Sequence, residues 1–214
     1  RHITKFVAEV MAINANDMVY DPTCGTGGFL VSAYDEVRKK TGKKEFERFK
    51  LHGLYGVEQQ DQVVALALVN MIFRGDGKTN IIEGDCFSKW LGAKSDDRAI
   101  QAEYKGKDFK GRIPPVTKVL MNPPFPKKKT DHKEYKFIDQ ALKQMQDGGI
   151  LFSVLPYSVM VKPGQYKTWR ENMLKSNTLL SVVTFPIDLF YPVGVTTIGV
   201  FIKKGKPHEP KNKV

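Results

Sequence analysis

The chain has 214 residues, 41% of them apolar, and a formal net charge of +11 at pH 7. That length allows one large domain with its own core, and no apolar run approaches the ~18 residues of a membrane-spanning helix. The basic balance favours a polyanionic partner, with nucleic acid ahead of a membrane surface, although Lys203, Lys204, Lys206, Lys211 and Lys213 put part of it in a terminal tail.

Ile3, Phe6, Val7, Val10 and Met11 recur at helical spacing and predict an amphipathic helix over 2–13. The chain opens on Arg1 rather than Met, inside that helix, which reads as a truncated start. Residues 18–20 form a short strand ending in Asp21, 22–28 a glycine-rich loop, and 29–40 a helix. A second strand over 51–57 ends in Glu58. An apolar helix covers 60–73 and stops at Gly75, and a third strand over 79–82 runs to Gly84-Asp85. Residues 86–115 are polar and without period, with a short helix near 98–103; such long connections are often functional. A fourth strand covers 116–121. A helix over 135–145 is closed by Asp147-Gly148-Gly149, a fifth strand covers 150–155, and a helix covers 164–174. Two further strands, 179–185 and 197–202, are joined without a helix.

Strands alternate with helices as far as residue 185, and the strands are continuous apolar runs. That pattern predicts an α/β fold: a mostly parallel seven-stranded sheet, helices on both faces, and an antiparallel hairpin at one edge. A single domain over 1–203 and a basic tail over 204–214 without fixed structure are expected. Cys24 and Cys86 are in neither a disulfide nor a zinc spacing, which fits a reducing cytoplasm and predicts no metal. His52 and His132 have no partner pattern.

Four strand ends carry the chemistry. The first is Asp21-Pro22-Thr23-Cys24-Gly25-Thr26-Gly27-Gly28-Phe29, between a strand and a helix, where doubly wound sheets bind ligands. Leu30 stands where a dinucleotide fingerprint needs its third glycine, and no G-K-[ST] follows as in a P-loop. An acidic strand end beside open backbone suits a ligand with a cationic amino group, which Asp21 can meet directly or through water. The helix N-terminus favours a ligand carboxylate. Glu58, followed by Gln59, is placed to accept ribose hydroxyls. Asp85, with Cys86 and Phe87, is placed to accept a bond from an adenine amino group while Phe87 packs on the ring. An amino-acid end, a ribose and an adenine in a row describe S-adenosylmethionine, which carries no phosphate.

The fourth strand ends in Asn122-Pro123-Pro124-Phe125. Two prolines fix φ and hold their neighbours extended, leaving carbonyls beside an Asn amide and an aromatic ring. Taken alone, the stretch is either a stiff proline loop or a grip for a flat, amine-bearing ring. The basic triplet Lys127, Lys128 and Lys129 follows, either as a phosphate contact or as a solvated loop.

D-P-x-C-G-T-G-G-F, an acidic strand end, G-D and N-P-P-F together resemble the amino-group DNA methyltransferases. The likeness is greatest to the modification (M) subunits of type I restriction–modification systems. Asn70 with Gly75, Gly148-Gly149, Leu155-Pro156 and the run from Pro186 through Leu189-Phe190-Tyr191-Pro192 to Thr197 extend it over nearly the whole chain. The resemblance implies a Rossmann-like S-adenosylmethionine-dependent fold and methylation of adenine N6 in double-stranded DNA. It assigns Asn122, Pro123, Pro124 and Phe125 to catalysis. It assigns Asp21, Thr23, Gly25, Thr26, Gly27, Gly28, Phe29, Glu58, Gln59, Asp85, Cys86 and Phe87 to the cofactor. A second aromatic against the flipped base is implied, with Phe190 or Tyr191 the candidate; for Phe190 a core position is the competing reading. The implied partners are a specificity (S) subunit, a second modification subunit and a restriction subunit. The implied F-x-T-P-type segment that contacts the cofactor would lie before Arg1. RNA or protein-glutamine methylation, and a cofactor-binding subunit active only in an assembly, stay open beside this reading. A nicotinamide oxidoreductase is disfavoured by Leu30.

Overall fold

The structure, a computed structural model, describes residues 2–75, 80–88, 116–186, 194–209, 211 and 214. Its elements in chain order are α1 (His2–Val10), β1 (Val19–Asp21), α2 (Gly28–Lys40), α3 (Lys43–His52), β2 (Leu54–Glu58), α4 (Asp61–Ile72), β3 (Asn80–Glu83) and β4 (Val116–Met121). There follow α5 (Glu134–Gln144), β5 (Met145–Pro156), α6 (Ser158–Val161), α7 (Gln165–Ser176), β6 (Asn177–Thr184) and β7 (Thr197–Lys204). The seven strands form one sheet in the order β3-β2-β1-β4-β5-β7-β6. The strands β1 to β5 pair in parallel, and β7 runs antiparallel to both β5 and β6. The expected edge hairpin is present, with β7 inserted between β5 and β6.

Apolar residues on both faces of the strands force two covering layers. Val119, Met121, Leu151, Leu155, Ile198 and Val200 pack on the side of α5, α6 and α7, with Ile138, Trp169 and Met173. Val19, Leu120, Phe152, Val154 and Phe201 pack on the other side, against Val7 of α1, Leu30 of α2, Phe49 of α3 and Met71 of α4. The outer face of α4 stays exposed at Leu66, Val69 and Ile72.

Several boundaries differ from the sequence expectation. Residues 43–52 form α3, so Leu51 and His52 close a helix rather than open β2. Gly53 ends that helix because a Cβ there would lie 2.3 Å from the Phe49 ring. The segment 145–149 belongs to β5, not to a helix end and turn, and Gly148 takes φ +83 where the ladder to β4 shifts register. The helix α1 stops at Val10, and the short α6 was not expected. Beyond β7, the His208 N–H donates to the Leu174 carbonyl at 2.9 Å. The helix expected near 98–103 lies outside the described residues.

The strand β1 is short but central. It pairs with β2 through three residues and with β4 through two, Val19↔Lys118 and Tyr20↔Val119. The strand order reverses here, which opens a crevice at the carboxyl ends of the strands.

Candidate active site

Asp21, Glu58, Gly84-Asp85 and Asn122 all leave the carboxyl ends of neighbouring parallel strands. Glu58, Gly84-Asp85 and Asn122 line a cleft of about 380 Å³, whereas Asp21 is buried next to its lining residue Pro22 and does not itself line it. Thr23, Gly25, Glu58 and Gln59 line one side, Asp85, Cys86 and Phe87 the next, and Asn122 with Pro124 the third.

The glycine loop is held by its own backbone. The Cys24 N–H donates to Val57 at 2.9 Å, and that of Gly27 to Cys24 at 2.8 Å. Gly25 and Gly27 have φ of +54 and +82, which a side chain would strain. A Cβ at Gly25 would meet nothing within 4 Å, whereas one at Gly27 would touch Ala67 at 3.7 Å. The loop therefore packs on α4 and presents bare backbone at Gly25.

Asp21 lies beneath the loop, 1% exposed. Its Oδ1 accepts the Thr23 N–H at 3.1 Å. Burial raises its pKa to about 8; the Thr23 bond opposes this, and the Glu58 carboxylate adds to it. The site thus holds a buried carboxyl that is mostly protonated at neutral pH, and a cation brought beside it would restore its charge.

Glu58 ties two loops together. Its Oε2 accepts the Gly25 N–H at 3.0 Å, and its Oε1 accepts those of Gln59 and Gln60 at 2.9 and 3.0 Å. A carboxylate offers about four acceptor positions, so one on Oε2 is left for a hydroxyl in the cleft. The Asp85 Oδ1 accepts the Phe87 N–H at 2.9 Å. Cys86 is buried, and burial above all pushes its thiol up to about 12; Cys24 is pushed up the same way. Neither sulfur is a nucleophile at neutral pH. The Phe87 ring lies 4.8 Å from Phe137 and 4.2 Å from His132, and all three residues line the cleft.

At the end of β4, Asn122 and Pro124 are exposed, Pro123 is buried and Phe125 is half-buried. Pro123 and Phe125 are not among the cleft-lining residues. Lys127, Lys128 and Lys129 are exposed on the turn that follows.

Some expected residues are placed elsewhere. The Phe29 side chain turns into the core against Phe152, with centroids 5.8 Å apart, because the first turn of α2 points it at the sheet. Thr26 is not among the cleft-lining residues, and its carbonyl accepts a hydrogen bond from the Asn70 Nδ2 at 3.0 Å. Gly28 sits beside Thr4 of α1, whose Cγ2 would lie 3.8 Å from a Cβ there. Phe190 and Tyr191 lie outside the described residues. Conversely, Pro22, Val57, Gln60, His132 and Phe137 line the cleft unannounced. For Phe137 the helical spacing of α5 was a usable signal; for His132 there was none.

A family model described as N-6 DNA Methylase matches residues 1–214. Over 219 residues the chain is 37% identical to the type II restriction enzyme and methyltransferase RM.BcgI of Heyndrickxia coagulans, covering 100% of this chain and 32% of that protein. It is 24% identical over 229 residues to the type I restriction enzyme StySJI methylase subunit of Salmonella typhimurium, covering 99% of this chain and 41% of that one. The crystal structure of the type I restriction enzyme EcoKI M protein superposes with a TM-score of 0.75 at 23% identity, over 95% of this chain and 43% of that chain. This last likeness shows a shared fold. The chain spans 32% and 41% of the lengths of the two curated relatives.

Proposed function

The chain belongs to the N-6 DNA methylase family, and we propose that it is the catalytic core of an adenine-N6 DNA methyltransferase, the modification subunit of a type I restriction–modification system. One observation carries this reading: Asp85, Glu58 and Asn122 line one cleft at the carboxyl edge of the sheet, with Asp21 buried at the strand end between Glu58 and Asn122.

The residues present fit S-adenosylmethionine. A buried carboxyl lies beneath the loop, bare glycine backbone borders the cleft, and an aromatic slot closes its far end. Among the described residues that line the cleft there is no lysine or arginine. When bound, this cofactor supplies a methyl group on a sulfonium. Asp21 would charge and pair with the amino group of its methionine end, directly or through water. Glu58 would accept a ribose hydroxyl on Oε2, Phe87 would pack on adenine, and Asp85 would accept from its amino group.

The target base must leave the duplex, at a cost of a few kcal/mol. Phe125 would stack on it, which is worth roughly 1–3 kcal/mol. The Asn122 side-chain oxygen and the Pro123 carbonyl would each accept one N6 hydrogen. Positive charge develops on that nitrogen as the new bond forms, and two fixed acceptors stabilise it without a strong base. Lys127, Lys128 and Lys129 would contact phosphates near the flipped base. A specificity subunit and a second modification subunit would supply site recognition and assembly, with a restriction subunit completing the system in the cytoplasm.

The higher identity to RM.BcgI supports a second arrangement, in which the same core is one segment of a chain that also carries restriction activity. The chemistry at Asn122 is the same in both. The test is transfer from methyl-labelled S-adenosylmethionine to DNA by the complete protein, with N6-methyladenine identified after digestion. Asn122→Ala should lower transfer by about a hundredfold or more with cofactor affinity little changed. Equal incorporation by the variant would refute the assignment.

A further inference from the structure

The turn between β4 and α5 begins at Asn122, carries Lys127, Lys128, Lys129 and Lys133, and reaches back to the cleft at His132. The imidazole of His132 lies 4.2 Å from the Phe87 ring at an interplanar angle of 31°, and it meets Phe137 edge-on at 6.4 Å. It borders the same cleft as Asp85 and Asn122. His132 therefore stands in the aromatic slot although it belongs to the loop of the catalytic tetrapeptide.

The turn itself is stiff. The Asp131 Oδ2 accepts the backbone N–H groups of both Lys127 and Lys128, at 2.8 Å each. The Asp131 N–H in turn donates to the Lys128 carbonyl at 3.2 Å. The residue that ties the lysines together is thus the chain neighbour of the residue that touches Phe87. On its other side α5 starts at the buried Glu134. A shift of His132 on Phe87 is passed to the lysine turn through its chain neighbour Asp131.

We propose that His132 is a positioning residue that couples the adenine ring of the cofactor to the DNA-facing lysine turn; this rests on the methyltransferase reading above. An adenine that packs on Phe87 and reaches Asp85 enters a slot whose third wall is the imidazole. That contact fixes His132, and through Asp131 it fixes Lys127 and Lys128. DNA then meets a tied turn held in one position relative to the cleft, so cofactor and DNA favour each other. The coupling is reciprocal by linkage: each ligand raises the affinity of the other by the same factor.

The experiment measures binding of a fluorescein-labelled duplex to the complete protein, with and without saturating S-adenosylhomocysteine, which has no methyl group to transfer. The wild type should bind the duplex about fivefold or more tightly in its presence. His132→Ala should bring that factor close to one, and His132→Phe, which keeps a flat ring, should retain it. Asp131→Ala, which leaves the ring but frees the turn, should lose it. A merely structural role for His132 would change affinities without changing their ratio. Wild-type coupling in His132→Ala, or no coupling in a wild type that methylates adenine, overturns the inference and leaves the function standing. A complete protein that transfers no methyl group to DNA overturns the function and the inference with it.

Discussion

Replacing Asp21 by Asn should make the cofactor-free protein more stable. The unfolded chain releases the Asp21 proton near 3.8, whereas the folded protein holds it to about 8. Between those values unfolding releases a proton, so the contribution of this group to stability falls as pH rises. Each pKa unit is worth about 1.4 kcal/mol, so the penalty accumulated by pH 7 reaches at most ~4 kcal/mol. Asn carries no charge at any pH, fills the same volume and can still accept the Thr23 N–H. Denaturant unfolding of both proteins should give nearly equal stability near pH 4 and a gap that widens to as much as ~4 kcal/mol by pH 7. Parallel stability curves across that range would refute the argument, since they would mean that Asp21 is already solvated. The gain comes with a functional loss, because a site strained in the free protein is relieved by its ligand. Calorimetry should show cofactor binding to the wild type releasing close to one proton at pH 7, visible as a buffer-dependent enthalpy. Asp21→Asn should abolish that release and weaken binding.

Two further outcomes follow from geometry. Exchanging Lys127, Lys128 and Lys129 together for Ala should flatten the plot of log DNA affinity against log salt by up to about 0.9 per lost phosphate contact; an unchanged slope in a filter or fluorescence titration would assign them to solvent. Gly56→Ala would place a Cβ 2.9 Å from the Leu30 Cδ1 and 3.0 Å from the Cys24 Sγ. It should destabilise the protein by about 1–3 kcal/mol and loosen the cofactor loop, measured by thermal melts with and without S-adenosylmethionine, and an unperturbed melt would show that the loop yields freely.

Much of this architecture is legible in the sequence because a parallel sheet buried on both faces needs continuous apolar strands. The runs at β4 and β5 could be little else, and Asp21, Glu58, Asp85 and Asn122 marked the carboxyl ends of β1 to β4. The helix α3 escaped because only Phe49 among its ten residues is buried, so a charged surface helix left no apolar period. Leu51, apolar and close to Leu54, then read as strand. Gly148-Gly149 resembled a turn, but here the glycines accommodate an irregular ladder inside a long strand. Phe29 belonged to the motif by sequence and to the core by geometry. Glu58 was read for its ligand alone, whereas three of its acceptor positions already serve backbone N–H groups. His132 was silent because its partner, Phe87, is distant in the chain and meets it only once β3 and β4 are placed in one sheet.

The brevity of β1 has a mechanical consequence. Strands β1, β2 and β3 lead to Asp21, Glu58 and Asp85 on one side of the cleft and β4 leads to Asn122 on the other, and two residue pairs of ladder join β1 to β4. The seam is completed beyond the ladder, where the Thr117 and Lys118 N–H groups both donate to the Met18 carbonyl at 3.0 Å and the Met18 N–H donates to the Thr117 Oγ1 at 2.9 Å. Val19 and Tyr20 are wholly buried there, and the Lys118 Nζ donates across to the Met11 carbonyl at 3.0 Å. The relative placement of the two sides of the cleft therefore rests on buried side chains and backbone bonds beneath it.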